Sequence, residues 1–433
     1  MATEAQTSTY QEPSRVTLLA VVIWGLSAVF YFYEFLLQAS TSVMVPELMD
    51  SFSLKASEVG HLSAFYLYAY ALMQLPAGML IDKFGPRRLL TFATLCCATG
   101  AVLFSMADTY VLAKASRFMM GIGGGFAVVS CLKITTLWFP TRYFALMAGL
   151  MVTCGMLGVI FGQAPLAILI ESVGWQQALN WGGLVGFGLA GIMWLVVRDA
   201  PEGFKESQVH NETIGMLKGL YLVSKNPQVW VASLFAGLMF VPTLGFGELW
   251  GVPYLVERLS IDRAGAGMIC SLIFMGWVFG GPFFGWLSDA MGRRIRPLLI
   301  STLGTLLSLL VILYIPMHNP WLIGVGFFFL GVFSAGFVLA FSVVREISIP
   351  ILSGTAIGFI NVWNTIGGAA AQPLLGHLLD MQSKGVINEQ GSPVFDLAAY
   401  ESALVSLPVA IVIALCLLPF IKETFCKPML QDK

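Results

Sequence analysis

Four ionisable side chains lie inside long apolar stretches of the sequence, where an isolated charge is unfavourable. They are Glu34, Arg117, Lys133 and Glu248. A charged side chain in a helix that crosses lipid costs about 3 kcal/mol on insertion scales, so each one is expected to have a partner or a function. An opposite charge, a transferable proton or a bound polar solute can each offset that cost. The chemistry indicated is therefore proton transfer and the binding of a small polar solute.

Glu34 and Arg117 are the candidates for proton coupling. Glu34 lies among aromatic and apolar residues between Tyr31 and Gln38, and burial in such surroundings favours the neutral form of a carboxyl group. Arg117 belongs to an apolar stretch that would run antiparallel to that of Glu34, so we expect the two side chains at a similar depth. Moving them apart would couple helix position to protonation. A permanent structural ion pair is the alternative.

Lys133 and Glu248 are the candidates for binding the two ends of a zwitterionic solute. Lys133 lies inside the apolar stretch that contains Arg117, and its ammonium group could bind a carboxylate. Glu248 lies between Pro242 and Pro253 in a segment dense in helix breakers, and interrupted helices expose backbone groups to binding cavities. The alternatives are a structural lysine and an acidic residue exposed at the outer mouth.

Two pairs of polar side chains are spaced for one face of a helix. Asn361 and Asn364 are three residues apart, and Tyr66 and Tyr70 are four apart, so each pair shares a helix face. The amides predict either solute binding or hydrogen bonds between helices. The tyrosines predict either a cavity wall or packing.

The composition places most of the chain in lipid. Of 433 residues, 57% are apolar and 11% are charged, and the net charge is −1. These values are typical of an integral membrane protein and argue against nucleic-acid binding. Seven cysteines and four histidines show no disulfide or metal spacing, and no nucleotide loop or nucleophile triad occurs. We therefore expect no cofactor, no metal and no catalytic residue.

One short motif occurs twice. Gly-x-x-x-Asp followed by Gly and paired arginines begins at Gly78 and again at Gly285, 207 residues later. The dipeptide Val45-Pro46 also recurs 207 residues later, as Val252-Pro253. Each copy of the motif follows a long apolar run, so two halves of the chain share one plan, as in duplicated membrane transporters.

Twelve apolar segments are long enough to cross a bilayer, which requires about 20 residues in a helix. The predicted fold class is an all-α membrane protein with twelve transmembrane helices in two pseudo-symmetric six-helix bundles. Basic residues gather on one side of these segments, which predicts that this side and both termini are cytoplasmic. The predicted domains are a cytoplasmic N-terminal tail at 1–15, a bundle at 16–197, a cytoplasmic linker with an amphipathic helix at 198–227, a second bundle at 228–421 and a cytoplasmic tail at 422–433.

The repeated motif, between spans two and three and between spans eight and nine, resembles the signature loop of the major facilitator superfamily. The second copy departs from the signature at Ala290, which replaces a basic residue. The resemblance implies the major facilitator fold and transport by alternating access. It also implies a set of gate residues, namely Gly78, Asp82, Arg87, Gly285, Asp289 and Arg294.

The physical function of this gate follows from the residue types. Gly78 would let a neighbouring helix approach closely. Asp82 would pair with Arg87 and face the positive N-terminus of a helix from the other half. Arg117-x-x-x-Gly121 also resembles the span-four arginine motif of the superfamily, which is linked with proton coupling.

The predicted function is secondary active transport of a small polar organic solute, coupled to protons. The run from Tyr33 to Gln38 resembles the lysosomal dipeptide-transporter branch, which makes dipeptides the first candidates and organic anions the second. A drug/proton antiporter is one alternative, although Pro165 is displaced from the antiporter pattern of span five. A non-transporting membrane receptor is another. We expect a monomer in the bacterial inner membrane whose partners are a small-molecule substrate, protons and lipid.

Overall fold

The computed structural model describes most of the chain, and the described residues are almost entirely helical. They are 16–201, 216–349, 352–383, 387 and 393–427. The predicted N-terminal tail, much of the predicted linker and the last six residues lie outside the described residues. The amphipathic helix that the sequence predicts in the linker, over residues 212–224, lies partly outside them, and its described part is helical from Met216 to Ser224.

The first half consists of ten helices that form six spans. They are α1 (Leu18–Ala39), α2 (Val45–Phe52), α3 (Ala56–Gln74), α4 (Pro76–Phe84), α5 (Pro86–Ser105), α6 (Tyr110–Gly124), α7 (Ala127–Trp138), α8 (Phe144–Phe161), α9 (Ala164–Val173) and α10 (Trp175–Val196). Several spans are divided in two where the sequence provides a breaker. Between α3 and α4 the axis bends by 63°, because Pro76 cannot donate a backbone hydrogen bond.

The linker helix and the second half complete the described fold. Their helices are α11 (Met216–Ser224), α12 (Pro227–Val241), α13 (Gly251–Leu259), α14 (Arg263–Met291), α15 (Ile295–Tyr314), α16 (Pro320–Ser334), α17 (Leu339–Glu346), α18 (Ser353–Met381), α19 (Leu397–Leu404) and α20 (Ser406–Leu417). A π-helical segment, Pro242–Trp250, joins α12 to α13. Asn226 and Asn319 cap α12 and α16 with their side chains, and the proline that follows each one suits the first helical position.

The helices account for the predicted number of spans. Within the described ranges, ten helical stretches are long and apolar enough to cross a bilayer, and the bent pair α3–α4 makes an eleventh. The twelfth span is α18, whose 29 residues have the required length but include several amides. The predicted fold class, two six-helix bundles in an all-α membrane protein, is therefore confirmed. Large apolar side chains such as Leu195 and Trp286 remain 69% and 64% exposed on the outer surface, where lipid would cover them.

The two bundles meet at one end of the molecule and separate at the other. We name the end that carries Asp82 and Asp289 the basic end, after its arginines. At the opposite end, the closed end, the halves are joined by an ion pair between Arg263 and Glu47. A cavity of about 1590 Å³ lies between the halves, and its lining extends to Asp82 at the basic end.

Close backbone contact between α3 and α18 holds the closed end together. A Cβ atom at Gly60 would lie 2.6 Å from the Cα atom of Pro373, a distance that packed atoms do not tolerate. The sequence predicted such close approach at Gly78, and this is wrong for the present conformation. No atom of a neighbouring helix lies within 4 Å of a Cβ built at Gly78 or at Gly285, and Gly78 lines the open cavity.

Gly60→Ala should therefore weaken the closed end. Its methyl group would force α3 and α18 apart, and we expect the free energy of unfolding to fall by about 1–3 kcal/mol. Gly78→Ala is the matched control, since it makes the same change of helix propensity without a steric contact. Thermal unfolding of the two purified variants measures the difference, and equal melting temperatures would contradict this packing.

Candidate functional site

The central cavity is lined by helices of both halves. Its N-terminal wall includes side chains from α1, α3, α4, α7 and α8, and its C-terminal wall includes α12, the π-helical segment, α14 and α18. Most of the surface is apolar or aromatic. Apart from Asp82 and Lys83 at the basic end, its polar lining residues include Tyr31, Gln38, Tyr70, Gln74, Thr243, Glu248, Asn361, Asn364 and Thr365.

Glu248 forms the floor of this cavity together with Gln38. The Gln38 side-chain nitrogen donates to both oxygens of Glu248, at 3.0 and 2.8 Å, and the two residues belong to different halves. Glu248 is only 3% exposed. The sequence identified Glu248 as a site residue but not the partner that holds it, because a glutamine at the end of span one gives no signal of its own.

The π-helical segment explains how Glu248 is presented to the cavity. The helix breakers predicted an interrupted helix, whereas the backbone continues through nine residues of π-helix. In a π-helix the backbone hydrogen bonds join residues five apart, and such segments occur frequently at functional sites. Gln163 of the first half donates to the Gly247 carbonyl at 2.8 Å, and Gln372 donates to the Leu244 carbonyl at 3.0 Å. Side-chain amides from both halves thus bind carbonyl groups of this segment.

Glu34 and Arg117 do not form the expected ion pair, and Tyr66 lies between them. The Tyr66 hydroxyl donates to the Glu34 carboxylate, while the Arg117 guanidinium lies 4.9 Å from the centroid of the Tyr66 ring. Arg117 instead donates to the carbonyls of Leu37 and Gln38, at 2.8 and 3.2 Å. The expectation was wrong because α1 ends near this depth, and its last carbonyls attract the guanidinium.

Lys133 does not line the cavity and lies in an ion pair instead. Its ammonium nitrogen is 2.8 Å from the Asp82 carboxylate, and the two side chains are 28% and 63% exposed. The expected pairing of Asp82 with Arg87 is therefore wrong in this conformation. Arg87 donates to the Trp194 carbonyl at 2.9 Å and stacks on the Trp194 ring, so it is held by α10 instead.

In the second copy of the motif the aspartate and the arginine form an ion pair, which they do not form in the first copy. Arg294 lies 3.0 Å from Asp289 and 2.7 Å from Glu346. Burial raises the pKa of the nearby Glu423 carboxyl group. Hydrogen bonds that its carboxylate accepts from backbone N–H groups, including that of Arg294, lower this pKa by more, so the pKa lies below its ordinary value. This cluster fixes the loop between α14 and α15 to the C-terminal segment.

Two buried oxygen atoms of the cavity wall have no hydrogen-bond partner. They are Oδ1 of Asn364 and Oγ1 of Thr243, on side chains that are 4% and 3% exposed. The sequence indicated Asn361 and Asn364, both of which line the cavity, but it gave no sign of Thr243. Unpaired buried polar atoms are uncommon in folded proteins, so these two oxygens are candidate acceptors for a hydrogen-bond donor.

Of the two predicted tyrosines, one lines the cavity and the other packs in the interior. Tyr70 lines the cavity, whereas Tyr66 is fully buried and contacts Glu34 and Arg117. The rings stack 6.5 Å apart with an interplanar angle of 17°. Tyr66 therefore connects the cavity wall to the buried charges behind it.

Comparison with known proteins agrees with this architecture. The family model described as Major Facilitator Superfamily matches residues 23–371 and 249–424. The chain belongs to the major facilitator superfamily. A bacterial homolog to the human lysosomal transporter Spinster, solved in an inward-facing and unoccupied conformation, shares the fold with a TM-score of 0.77 and 16% identity, covering 94% of this chain and 98% of the other.

Several curated relatives cover most of the chain at low identity. The probable sulfoacetate transporter SauU of Cupriavidus necator is 24% identical, over 83% of this chain and 87% of its own length. The probable galactarate/D-glucarate transporter GarP of Escherichia coli is 23% identical, over 84% and 88%. The membrane sensor protein UhpC of Salmonella typhimurium is 23% identical, over 84% and 85%. The chain is therefore a multi-pass membrane transporter of a small molecule, and its family is not one of enzymes.

Arg117→Lys should destabilise this transporter strongly. A lysine cannot stack on Tyr66 and also donate to two carbonyls in a fixed fork, and each buried carbonyl left unpaired costs about 1–3 kcal/mol. Arg142→Lys, in an exposed loop, makes the same chemical change as a control. We expect thermal unfolding to show a large decrease in melting temperature for the first variant only. A melting temperature for Arg117→Lys equal to that of the control would show that the fork is dispensable.

Proposed function

We propose that this superfamily member transports a small zwitterionic solute, with dipeptides as the first candidates, and that it couples transport to protons. In this proposal the basic end faces the cytoplasm of a bacterium, both termini are cytoplasmic, and the structure is the inward-facing state of a monomer in the inner membrane. The gate residues of the repeated motif would close the basic end in the other state.

The observation that supports the substrate class is the set of acceptors on the C-terminal wall. A primary ammonium group donates three hydrogen bonds and accepts none. The cavity offers it the Glu248 carboxylate and the unpaired oxygens of Asn364 and Thr243. Among the described residues that line the cavity, Glu248 is the one charged group away from the basic end, where Asp82 and Lys83 lie. A deep carboxylate that has no salt-bridge partner among the described residues favours a ligand with a positive group.

The carboxylate of the solute would face neutral donors on the N-terminal wall. The sequence suggested Lys133 or Arg117 for this purpose, but Lys133 pairs with Asp82 and Arg117 points at backbone carbonyls. The hydroxyls of Tyr31 and Tyr70 and the amide of Gln74 line that wall. We propose that these groups bind the carboxylate end, which places the two ends of the solute on different halves.

Glu34 is our candidate for the coupled proton. One of its oxygens accepts from Tyr66 and the other has no partner, and the side chain is fully buried. A carboxylate ion in such a place would lack a compensating charge. We propose that Glu34 takes up a proton while the cavity is open toward the other side, carries it into this conformation and releases it toward the basic end.

A second candidate substrate class is supported by the relatives. SauU and GarP are named for sulfoacetate and for galactarate and D-glucarate, which are organic anions. The absence of a basic side chain deep in the described part of the cavity wall makes this class the weaker proposal. UhpC is named as a sensor, so ligand binding without transport is a third outcome that the experiments below distinguish.

The ammonium contact can be tested in proteoliposomes that contain the purified protein. We expect uptake of Ala-Ala, no uptake of N-acetyl-Ala-Ala, and at least a tenfold loss of Ala-Ala uptake in Glu248→Gln. Glu171→Gln, an exposed acid at the closed end, serves as the control and should transport normally. Equal uptake of the acetylated peptide would refute the ammonium contact. Uptake of a dicarboxylate alone would favour the second candidate class, and binding without accumulation would favour a receptor.

The proton role of Glu34 can be tested with an imposed pH gradient. We expect an inward-directed proton gradient to accelerate substrate uptake several-fold in the wild type. In Glu34→Gln the gradient should have no effect, while exchange of labelled for unlabelled substrate persists, because the variant resembles the protonated state permanently. Uptake by the wild type that ignores the gradient, or uptake by Glu34→Gln that still follows it, would contradict proton coupling through this residue.

A further inference from the structure

The helices α3 and α18 form an antiparallel pair across the two halves. Span two runs from α3 at the closed end to α4 at the basic end, and α18 runs the opposite way. Each span carries an aspartate near its last residue, Asp82 in α4 and Asp380 in α18. Each aspartate therefore lies at the end of the bundle where the partner span begins.

At the closed end, Asp380 caps the start of the partner helix. Its Oδ1 atom accepts from the backbone N–H of Ala56 at 2.9 Å, and its Oδ2 atom accepts from Ser57 at 2.9 Å. These groups are the first backbone donors of α3, which have no partner within their own helix. The residue that precedes α3, Lys55, makes no capping hydrogen bond with its side chain to those donors.

At the basic end, the equivalent contact is absent from the described residues. The N-cap of α18, Leu352, makes no side-chain hydrogen bond, and the neighbouring Gly354 and Thr355 line the open cavity. Asp82 lines the same cavity, but it pairs with Lys133 of its own half. Within the part of the chain that the structure describes, the same two spans are thus capped across the halves at the closed end only.

We infer that Asp380 is a gate residue for the closed end and acts as the counterpart of Asp82. The carboxylate of Asp380 neutralises the partial positive charge at the start of α3 only while the halves meet there. Opening that end breaks both hydrogen bonds and exposes the donors to water. Closing the basic end would bring the start of α18 toward Asp82. This inference needs the two states of a transporter but neither a particular solute nor proton coupling.

Cysteine accessibility in proteoliposomes can test the role of Asp380. Ser42 is 1% exposed at the closed end, and Thr355 lines the cavity near the basic end, so cysteines there report the two openings. The partly accessible native cysteines, Cys154, Cys416 and Cys426, are first replaced by serine. Alkylation by a maleimide is then measured for Ser42→Cys and Thr355→Cys separately, without substrate.

Asp380→Ala should change the alkylation rates of the two reporter cysteines in opposite directions. We expect the cysteine at position 42 to react about tenfold faster, in line with the loss of a helix cap, and the cysteine at position 355 to react more slowly. Asp380→Asn keeps one acceptor oxygen and should give intermediate rates. Asp82→Ala should shift both rates the opposite way, because it removes the cap that closes the basic end.

Asp262→Ala provides the matched control, since Asp262 precedes α14 at the closed end and makes no capping hydrogen bond. It should leave both rates unchanged. Unfolding would speed both reporters together, so a graded and opposite response separates gating from a loss of structure. Unchanged rates in Asp380→Ala, or rates that shift in the same direction in Asp380→Ala and Asp82→Ala, would overturn the inference.

Discussion

Polar groups that leave water must find partners, and in this transporter many of those partners lie in the other half of the chain. Gln38 binds Glu248, Gln163 binds the Gly247 carbonyl, and Asp380 caps the start of α3. All of these contacts lie at the closed end. Because a buried polar group without a partner costs about 1–3 kcal/mol, the closed end is stable only when the halves fit together. Separation becomes tolerable when water or a solute replaces the lost partners.

The same requirement explains where the charges are. Arg117 is buried, and its cost is offset by the carbonyls at the end of α1 and by the ring of Tyr66. Tyr66 in turn donates to Glu34, so the arginine and the acid are connected without touching. Gln38 extends this chain, since its backbone carbonyl accepts from Arg117 while its side chain holds Glu248. A change of protonation at Glu34 and a change of contact at Glu248 therefore both affect Arg117, through Tyr66 and through Gln38.

The sequence predicted the fold well and the contacts of the site less well. Span number, duplication and the two signature loops depend on hydropathy and on a repeated motif, which the sequence displays directly. Glu248, Asn364 and Tyr70 were found because polar side chains in apolar helices are conspicuous. The pairing of Asp82 with Lys133 was missed because it depends on how α4 packs against α7 and on which end of the bundle is open, neither of which the sequence displays. Thr243 was missed because a threonine is ordinary in such helices, and only the cavity shows that its oxygen is unpaired.

Transport by this protein requires that the closed end opens when the basic end closes. Distances measured across each end report both movements. Spin labels at positions 55 and 382 span the closed end, and labels at 83 and 345 span the basic end. In liposomes without substrate, we expect a short distance across the closed end and a long one across the basic end. Substrate or a change of pH should populate a state in which the first distance lengthens and the second shortens. Two distances that always change in the same direction, or a basic end that never closes during transport, would contradict this requirement.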